Sequence, residues 1–450
     1  MTAMMAQMPA APETKRRFGG TATVPLPKSV YYPMLAMLVL FIGGNTFASP
    51  AAVGMNAAKW LPTFALLLAS TSLLVGRRVP RCPPTMFFAL MAMLAMALGG
   101  TYLGLQPVRG LSEMISSLVT IGTAYVAAAM LVATDSRRAF FDLVAGVGRV
   151  VLIGATLCYI AGINYGRGTG LSAWTDNSNT LAAMLAPGLV IFVAGCIERR
   201  PGWLLWHLPF LVVGIPILIV TDGRASDVWA IFGVLAFWLY RRSSWPTLFA
   251  FLIAFIALII FWGPITTAIG HWTQLDISPR RMTASGPLSG REEVWRIGWQ
   301  LFVERPIFGY GFGSSKLLLA QESWRFVRHQ GLHFHSSYLM AMVETGIFGF
   351  VAFMVVIGST VVRGIADGQR TRALPRESWP TAALPMAMVF GAMGHGVFES
   401  WLIAGGNVNS PLFWICVWLI HFQAQIPVRQ VQRSPAPPLG NMAAGPLPAR

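Results

Sequence analysis

LSEMISSLVTIGTAYVAAAMLVATDSRR, residues 111–138, is the stretch that decides the fold. As far as Ala133 its only charged side chain is Glu113, near the start, and then Asp135, Arg137 and Arg138 arrive together. A helix needs roughly 20 mainly apolar residues to cross a hydrocarbon layer, because nothing there can satisfy a broken backbone. The run meets that length and stops at a charged boundary. Residues 140–162 repeat the pattern directly afterwards.

Outward from this pair, apolar runs recur along the whole chain. Spans are expected near 30–48, 60–76, 85–103, 111–133, 140–162 and 180–197, and again near 202–220, 224–240, 246–269, 336–362, 380–401 and 408–425. In the eighth, only Val228 to Tyr240 is continuously apolar, so that span must begin near Arg224. Of the 450 residues 55% are hydrophobic and 11% charged, far more apolar material than one soluble core requires. The fold class expected is all-α: a polytopic membrane protein of about twelve transmembrane helices.

Positive loops stay on the cytoplasmic side, and every second loop is basic. Lys15, Arg16, Arg17 and Lys28 precede the first span; Arg77, Arg78 and Arg81, then Arg137 and Arg138, Arg199 and Arg200, and Arg241 and Arg242 fill later inner loops. Arg363, Arg370, Arg372 and Arg376 follow span ten, and Arg429 and Arg433 lie in the tail, so both termini are expected to be cytoplasmic. The net charge of +16, from 33 basic and 17 acidic residues, is therefore a matter of topology, and nucleic acid is not an expected partner. No small-residue cleavage site follows a short apolar region near the start, so the first span is expected to be retained. Cys82, Cys158, Cys196 and Cys416 form no close pairs and suggest neither a zinc site nor a disulfide framework.

This orientation divides the chain into a cytoplasmic N-tail, 1–28, spans one to nine over 29–269, a loop subdomain over 270–335, spans ten to twelve over 336–426, and a C-tail, 427–450. Both tails have the composition of disordered segments. The loop between spans nine and ten, of about sixty residues, lies on the outer side, and loops this long tend to be functional. Within it Ser289-Gly290-Arg291-Glu292 has the form of a capping box, and Val294, Ile297, Leu301 and Phe302 recur at helical spacing until Pro306. Trp295 and Trp299 on that helix suit a membrane interface, with Arg291 and Arg296 exposed.

Gly309, Gly311 and Gly313 follow. Such a loop can present N–H groups to phosphate, but the strand and the G-K-[ST] of a nucleotide loop are missing, and a plain tight turn is the better reading. His329, His333 and His335 close the loop at spacings of four and two, which match no common zinc pattern. A single histidine acting as acid, base or donor at the surface is the better reading, with Ser336 or Ser337 capping span ten.

Elsewhere on the outer side, Thr221-Asp222-Gly223-Arg224 puts an arginine on the first turn of span eight, against the charge rule. It would strengthen a helix N-terminus as an anion site, or else pair with Asp222 or Asp227. Asn177 and Asn179 are placed to cap span six, Glu399 ends span eleven one turn beyond His395, and Glu344 lies about two turns inside span ten, where an acid is costly.

Arg291, Trp295, the string Arg305-Pro306-Ile307-Phe308-Gly309-Tyr310-Gly311-Phe312-Gly313, and His335 before Tyr338-Leu339 together resemble the O-antigen ligase and polymerase superfamily. The likeness is densest over 289–350 and includes Glu344-Thr345-Gly346-Ile347-Phe348-Gly349; Arg224 and Asn179, each opening a span, also look like family positions. In the family an Asn usually follows the loop histidine, where this chain has Ser336. The resemblance implies a fold similar to type C glycosyltransferases in the bacterial inner membrane, with the large loop periplasmic. It implies transfer of a glycan from undecaprenyl diphosphate to an acceptor hydroxyl, without metal or cofactor. Lipid A core or a growing polysaccharide would be the acceptor, and a flippase and a chain-length regulator would be partners beside the membrane lipids. On this reading His335, Arg291 and Arg224 are catalytic, and Asn177, Asn179, Arg296, Gly309, Gly311 and Glu399 bind substrate. Arg224 and Arg291 would grip the diphosphate, and His335 would take the acceptor proton. The alternative from another class is a multi-span secondary transporter, whose site would lie near the midplane between repeated halves.

Overall fold

The computed structural model describes residues 24–44, 50–166, 170–198, 202–242, 291–326, 333–371 and 379–425. Every regular element among them is helical. In chain order these are α1 Lys28–Gly43, α2 Pro50–Ala58, α3 Trp60–Leu74, α4 Pro84–Tyr102, α5 Pro107–Ala133, α6 Arg137–Ile160, α7 Ser178–Ile197, α8 Trp203–Trp206, α9 Leu208–Val220 and α10 Arg224–Arg242. After the segment outside the described residues come α11 Arg291–Glu304, α12 Ser315–Gln321, α13 Ser337–Thr371, α14 Trp379–Phe398 and α15 Ser410–Gln423. Pro84 and Pro107 stand at the first position of their helices, where the missing N–H costs nothing.

Seven helical stretches are long and apolar enough to cross a membrane, and Lys28–Gly43, Ala383–Phe398 and Ser410–Gln423 are shorter apolar helices. With α10, which does begin at Arg224, these correspond to eleven of the expected spans; the ninth, residues 1–23 and 426–450, and 270–290 and 327–332 of the long loop lie outside the described residues. Where span seven was expected, α8 and α9 are separated at His207. Span ten continues to Thr371, past its expected end near 362.

The helices sort by burial. α15 is buried along its entire length and α7 along most of it, so these two form the centre of the bundle. Phe64, Leu68, Phe87, Phe88, Val150, Leu157 and Val212 on the surrounding helices point outward and are exposed. An apolar exterior around a packed interior suits a hydrocarbon surrounding.

Contacts at one end of the bundle bring together segments that are far apart in sequence. Gln425 exchanges hydrogen bonds with Arg81, Arg77 donates to the Ala133 carbonyl, and the Ser136 hydroxyl reaches the Pro25 carbonyl at 3.4 Å. The flanks of both tails and two basic connections thus share that end. The candidate site lies at the other.

Two departures from regular helix shape the site end. At Gly346, α13 is kinked, with φ 67° and ψ −172°. A Cβ there would stand 2.0 Å from the Ile307 carbonyl oxygen, so glycine is required both for the left-handed backbone and for the close approach. The second departure is the connection from Glu399 to Asn409. With 14 residues α15 is about 21 Å long, short of the ~30 Å hydrocarbon thickness, and the connection dips into the bundle to meet it. Irregular backbone at that depth must be satisfied from within the protein. The Ser117 hydroxyl donates to the Ile403 carbonyl at 2.8 Å and accepts from the Gly405 N–H, Thr120 donates to the Gly405 carbonyl, and the Lys59 ammonium donates to the Gly406 carbonyl at 2.8 Å.

Candidate functional site

Glu399 is the hub of the site. It stands just past the end of α14, and its two carboxylate oxygens are divided between residues from different parts of the chain. Arg291 Nη2, on the first turn of α11, donates to Oε1 at 3.1 Å, and His335 Nδ1, two residues before α13, lies 3.2 Å from Oε2. Burial pushes the Glu399 carboxyl up, but His335 and Arg291 outweigh it and hold the group at about 2. Glu399 is therefore an anion whose charge is shared by the two residues beside it.

Each partner is locked in place. His335 sits in the left-handed region at φ 48°, which a non-glycine residue adopts only where its surroundings hold it. Those surroundings are identifiable. On one side of His335, the Trp295 indole N–H donates to the Phe334 carbonyl at 3.0 Å; on the other, the Ser336 N–H donates to the Ser400 hydroxyl at 2.9 Å. Ser336 also caps α13 by accepting from the Leu339 N–H, whereas Ser337 turns to the connection after α14. Its hydroxyl donates to the Glu399 carbonyl at 2.6 Å and accepts from the N–H groups of Trp401 and Leu402. One serine thus fixes the turn that presents Glu399.

The Arg291 side chain is only 12% exposed, and it does not lie open at an interface as the sequence reading expects. Its Nε is buried and meets no acceptor among the described residues. A buried guanidinium N–H without an acceptor is costly, and a ligand oxygen would remove that cost. Trp295 is turned inward, toward Phe334 and Phe398, while Trp299 and Arg296 are exposed.

Arg224 joins the site end through its helix. Ser226, two residues on, lies with its hydroxyl 3.3 Å from His395 Nε2, and the Trp401 indole N–H donates to His395 Nδ1 at 2.6 Å. Trp229 stacks on Trp401 with ring centres 5.3 Å apart. This buried layer ties the first turns of α10 to the last turn of α14, directly below Glu399. Arg224 itself is partly exposed, with Nε 3.9 Å from an oxygen of Asp222, one of the pairings open in the sequence.

The remaining candidates fall elsewhere. Asn177 caps α7, its side-chain oxygen accepting from the Thr180 N–H at 2.9 Å; Asn179 lies inside the first turn and is not the cap. The glycine string is a packing device. Tyr310 and Gly311 donate their N–H groups to the Val343 and Glu344 carbonyls exposed by the kink, at 2.9 and 3.1 Å, and the Ile347 N–H donates to the Pro306 carbonyl. Gly309 and Gly311, at φ 69° and 98°, are pressed against backbone and form a tight turn. Glu344 completes this joint by accepting from the N–H and hydroxyl of Ser315 at the start of α12. His333 and His335 rings stand 6.3 Å apart, and His329 lies outside the described residues. No group of three metal-ligating side chains occurs among the described residues.

A cavity of about 830 Å³ between α1 and α6 is not the chemical site, since its lining is almost wholly apolar and Asp142 is the sole charged side chain in it.

Fold and site define a polytopic helical membrane protein in which an arginine and a histidine share one carboxylate at a single end of the bundle. Residues 209–354 match the O-antigen ligase family model. The exopolysaccharide production protein ExoQ of Rhizobium meliloti strain 1021 is 27% identical over 109 residues, 23% of this chain and 25% of that protein. A Rickettsia conorii protein with a provisional polysaccharide-ligase name is 28% identical over 139 residues, 29% of this chain and 32% of that one. Over part of its length the chain is thus similar to the O-antigen ligase superfamily. The matched stretches span about a quarter to a third of these relatives' length.

Proposed function

We propose that this protein transfers a glycan from undecaprenyl diphosphate to an acceptor hydroxyl at the periplasmic face of the bacterial inner membrane, as an O-antigen ligase or an O-antigen or exopolysaccharide polymerase. The observation that carries this reading is the bridge from Arg291 through Glu399 to His335, which joins an anion-binding group to a proton-accepting one. The family match over 209–354 covers Arg224, Arg291 and His335 and supports the same reaction class.

In this mechanism Glu399 orients the imidazole. With Nδ1–H donating to the carboxylate, Nε2 is the basic nitrogen and takes the proton of the acceptor hydroxyl. The acceptor oxygen forms a bond to the anomeric carbon as the bond from that carbon to the diphosphate oxygen breaks, and undecaprenyl diphosphate leaves with the electron pair. Direct displacement inverts the anomeric configuration. Arg291, with its buried Nε, and Arg224 hold the diphosphate and stabilise the charge it gains.

The test expresses Arg224→Lys, Arg291→Lys and His335→Ala in a strain lacking the gene, at matched membrane levels. Surface glycan and lipid-linked precursor are compared. Loss of surface glycan with accumulation of precursor is expected for each, and normal glycan from both Arg291→Lys and His335→Ala would reject the mechanism.

A further inference from the structure

Arg149 stands midway along α6, between Val147-Gly148 and Val150-Val151, and the mechanism above makes no use of it. Its surroundings come from four helices. Nε donates to the Trp206 carbonyl at 3.2 Å, and the guanidinium carbon lies 5.7, 5.6 and 5.6 Å from the ring centres of Phe192 on α7, Trp206 on α8 and Phe210 on α9. The carbonyl it meets is one that the chain leaves open. α8 stops at Trp206, α9 starts after His207, and among the described residues no backbone N–H reaches the Trp206 carbonyl. Arg149 thus ties the joint between α8 and α9 to α6.

That tie needs one N–H, which a neutral side chain could supply, and a guanidinium has five. Both Nη nitrogens reach the surface of the bundle and meet no acceptor among the described residues. Asp142 stands two turns earlier, about 10 Å along α6, and neither it nor Glu198 at the end of α7 forms an ion pair with Arg149 among the described residues. Val150, Leu204 and Leu205, beside Arg149 and Trp206 in the chain, are exposed apolar side chains. The open edge of the cation therefore faces a hydrocarbon-covered surface, where a dissolved ion does not go. A lipid phosphate can reach it. Phe192 lies five residues, about 8 Å, from the end of α7 at Ile197, within the reach of a snorkelling arginine. This end is opposite the candidate site, since Ala182 in the first turns of α7 packs on Gly223 beside Arg224.

We propose that Arg149, held by the Trp206 carbonyl and the rings of Phe192, Trp206 and Phe210, forms a headgroup site for an anionic phospholipid in the leaflet opposite the candidate site. The Nη groups take the lipid phosphate in charge-assisted hydrogen bonds, while the rings fix the guanidinium plane. The acyl chains lie on the exposed apolar side chains beside it. A lipid with net negative charge is favoured over a zwitterionic one, whose own ammonium group already neutralises its phosphate. The bound lipid reinforces the joint between α8 and α9. This site is independent of the proposed glycan transfer.

The test uses the full chain, delipidated in detergent and followed by native mass spectrometry. Phosphatidylglycerol, phosphatidylcholine with the same acyl chains, and inorganic phosphate are titrated separately into wild type, Arg149→Gln and Arg149→Lys, with thermal unfolding to verify folding. At its tightest site the wild type is expected to hold phosphatidylglycerol more strongly than phosphatidylcholine. Arg149→Gln keeps an N–H for the Trp206 carbonyl but loses the charge, and should weaken phosphatidylglycerol binding there roughly tenfold. Arg149→Lys keeps the charge but loses the planar fork, and should weaken it severalfold. Phosphatidylcholine binding should not change in either variant. Phosphatidylglycerol binding that is unchanged in whichever variant folds, or phosphatidylcholine held as tightly as phosphatidylglycerol by the wild type, overturns the site. Inorganic phosphate bound as tightly as the lipid would mark a site for a free anion and overturn the lipid assignment.

Discussion

At the residue scale, one carboxylate organises the candidate site. Glu399 holds Arg291 and His335 at once, so its replacement by Gln should cost more than a single hydrogen bond. Transfer by Glu399→Gln is expected to fall on the order of a hundredfold, the size of a general-base contribution, and Glu399→Asp should retain part of it. Equal activity of Glu399→Gln and wild type in a purified transfer assay would remove Glu399 from the mechanism. The carboxyl is held at about 2, below the ordinary value of ~4.3, so its stabilising charge is complete above that ordinary value. It declines as pH falls from there and is lost as pH passes below about 2. Thermal unfolding of the wild type should therefore show an acid-dependent loss of stability across that window, and Glu399→Gln should show a smaller one. The separate residues were legible in the sequence: Arg224 breaks the charge rule, and Arg291 and His335 carry a family likeness. Their meeting through Glu399 was not legible, since Arg291 and Glu399 lie 108 positions apart and no local spacing encodes that contact.

Among the elements, the joint between the glycine string and the kink in α13 decides how α11, α12 and the histidine segment sit. The sequence shows glycines at alternate positions and favours a tight turn over a phosphate loop, but not what that turn packs against. What decides it is nonlocal. The kink at Gly346 leaves the Val343 and Glu344 carbonyls without their usual helical donors, and the string supplies replacements. Gly346→Ala would force a Cβ against the Ile307 carbonyl in a left-handed backbone, a strain of about 1–3 kcal/mol before any clash is counted. The expected outcome is a thermal midpoint lowered by several degrees, whereas Gly358→Ala in the same helix, with nothing within 4 Å of the added Cβ, should be neutral or slightly stabilising. Equal midpoints for the two variants would refute the packing role of the joint. The start of α10 at Arg224 and the end of α11 before Pro306 were both readable, from an apolar run and from a proline. The inward-dipping connection from Glu399 to Asn409 was not, because its backbone is satisfied by Ser117, Thr120 and Lys59 on distant helices.

Across the whole molecule, charge and chemistry separate to opposite ends. The tail flanks and the connections at Arg77 to Arg81 and Ala133 to Ser136 meet at one end, while Arg291, His335 and Glu399 meet at the other. If the positive-inside rule governs orientation, a cysteine placed at Arg138 should be shielded from an impermeant thiol reagent in intact spheroplasts, and one placed at Arg296 labelled. The reverse labelling would move the site to the cytoplasm and end the proposed reaction. Since arginines are assigned to the diphosphate, transfer should also persist in excess EDTA; activity lost in chelator and restored by a divalent ion would assign the diphosphate to a metal instead.

The central claim, that His335 activates the acceptor while arginines hold the donor, is met most directly by one comparison. Purified wild type and His335→Ala would each be given undecaprenyl-diphosphate-linked glycan and acceptor, with donor binding and transferred product measured on the same samples. Donor affinity within about twofold of wild type, together with transfer reduced on the order of a hundredfold or more, is the predicted result. Transfer by His335→Ala at the wild-type rate would contradict the account.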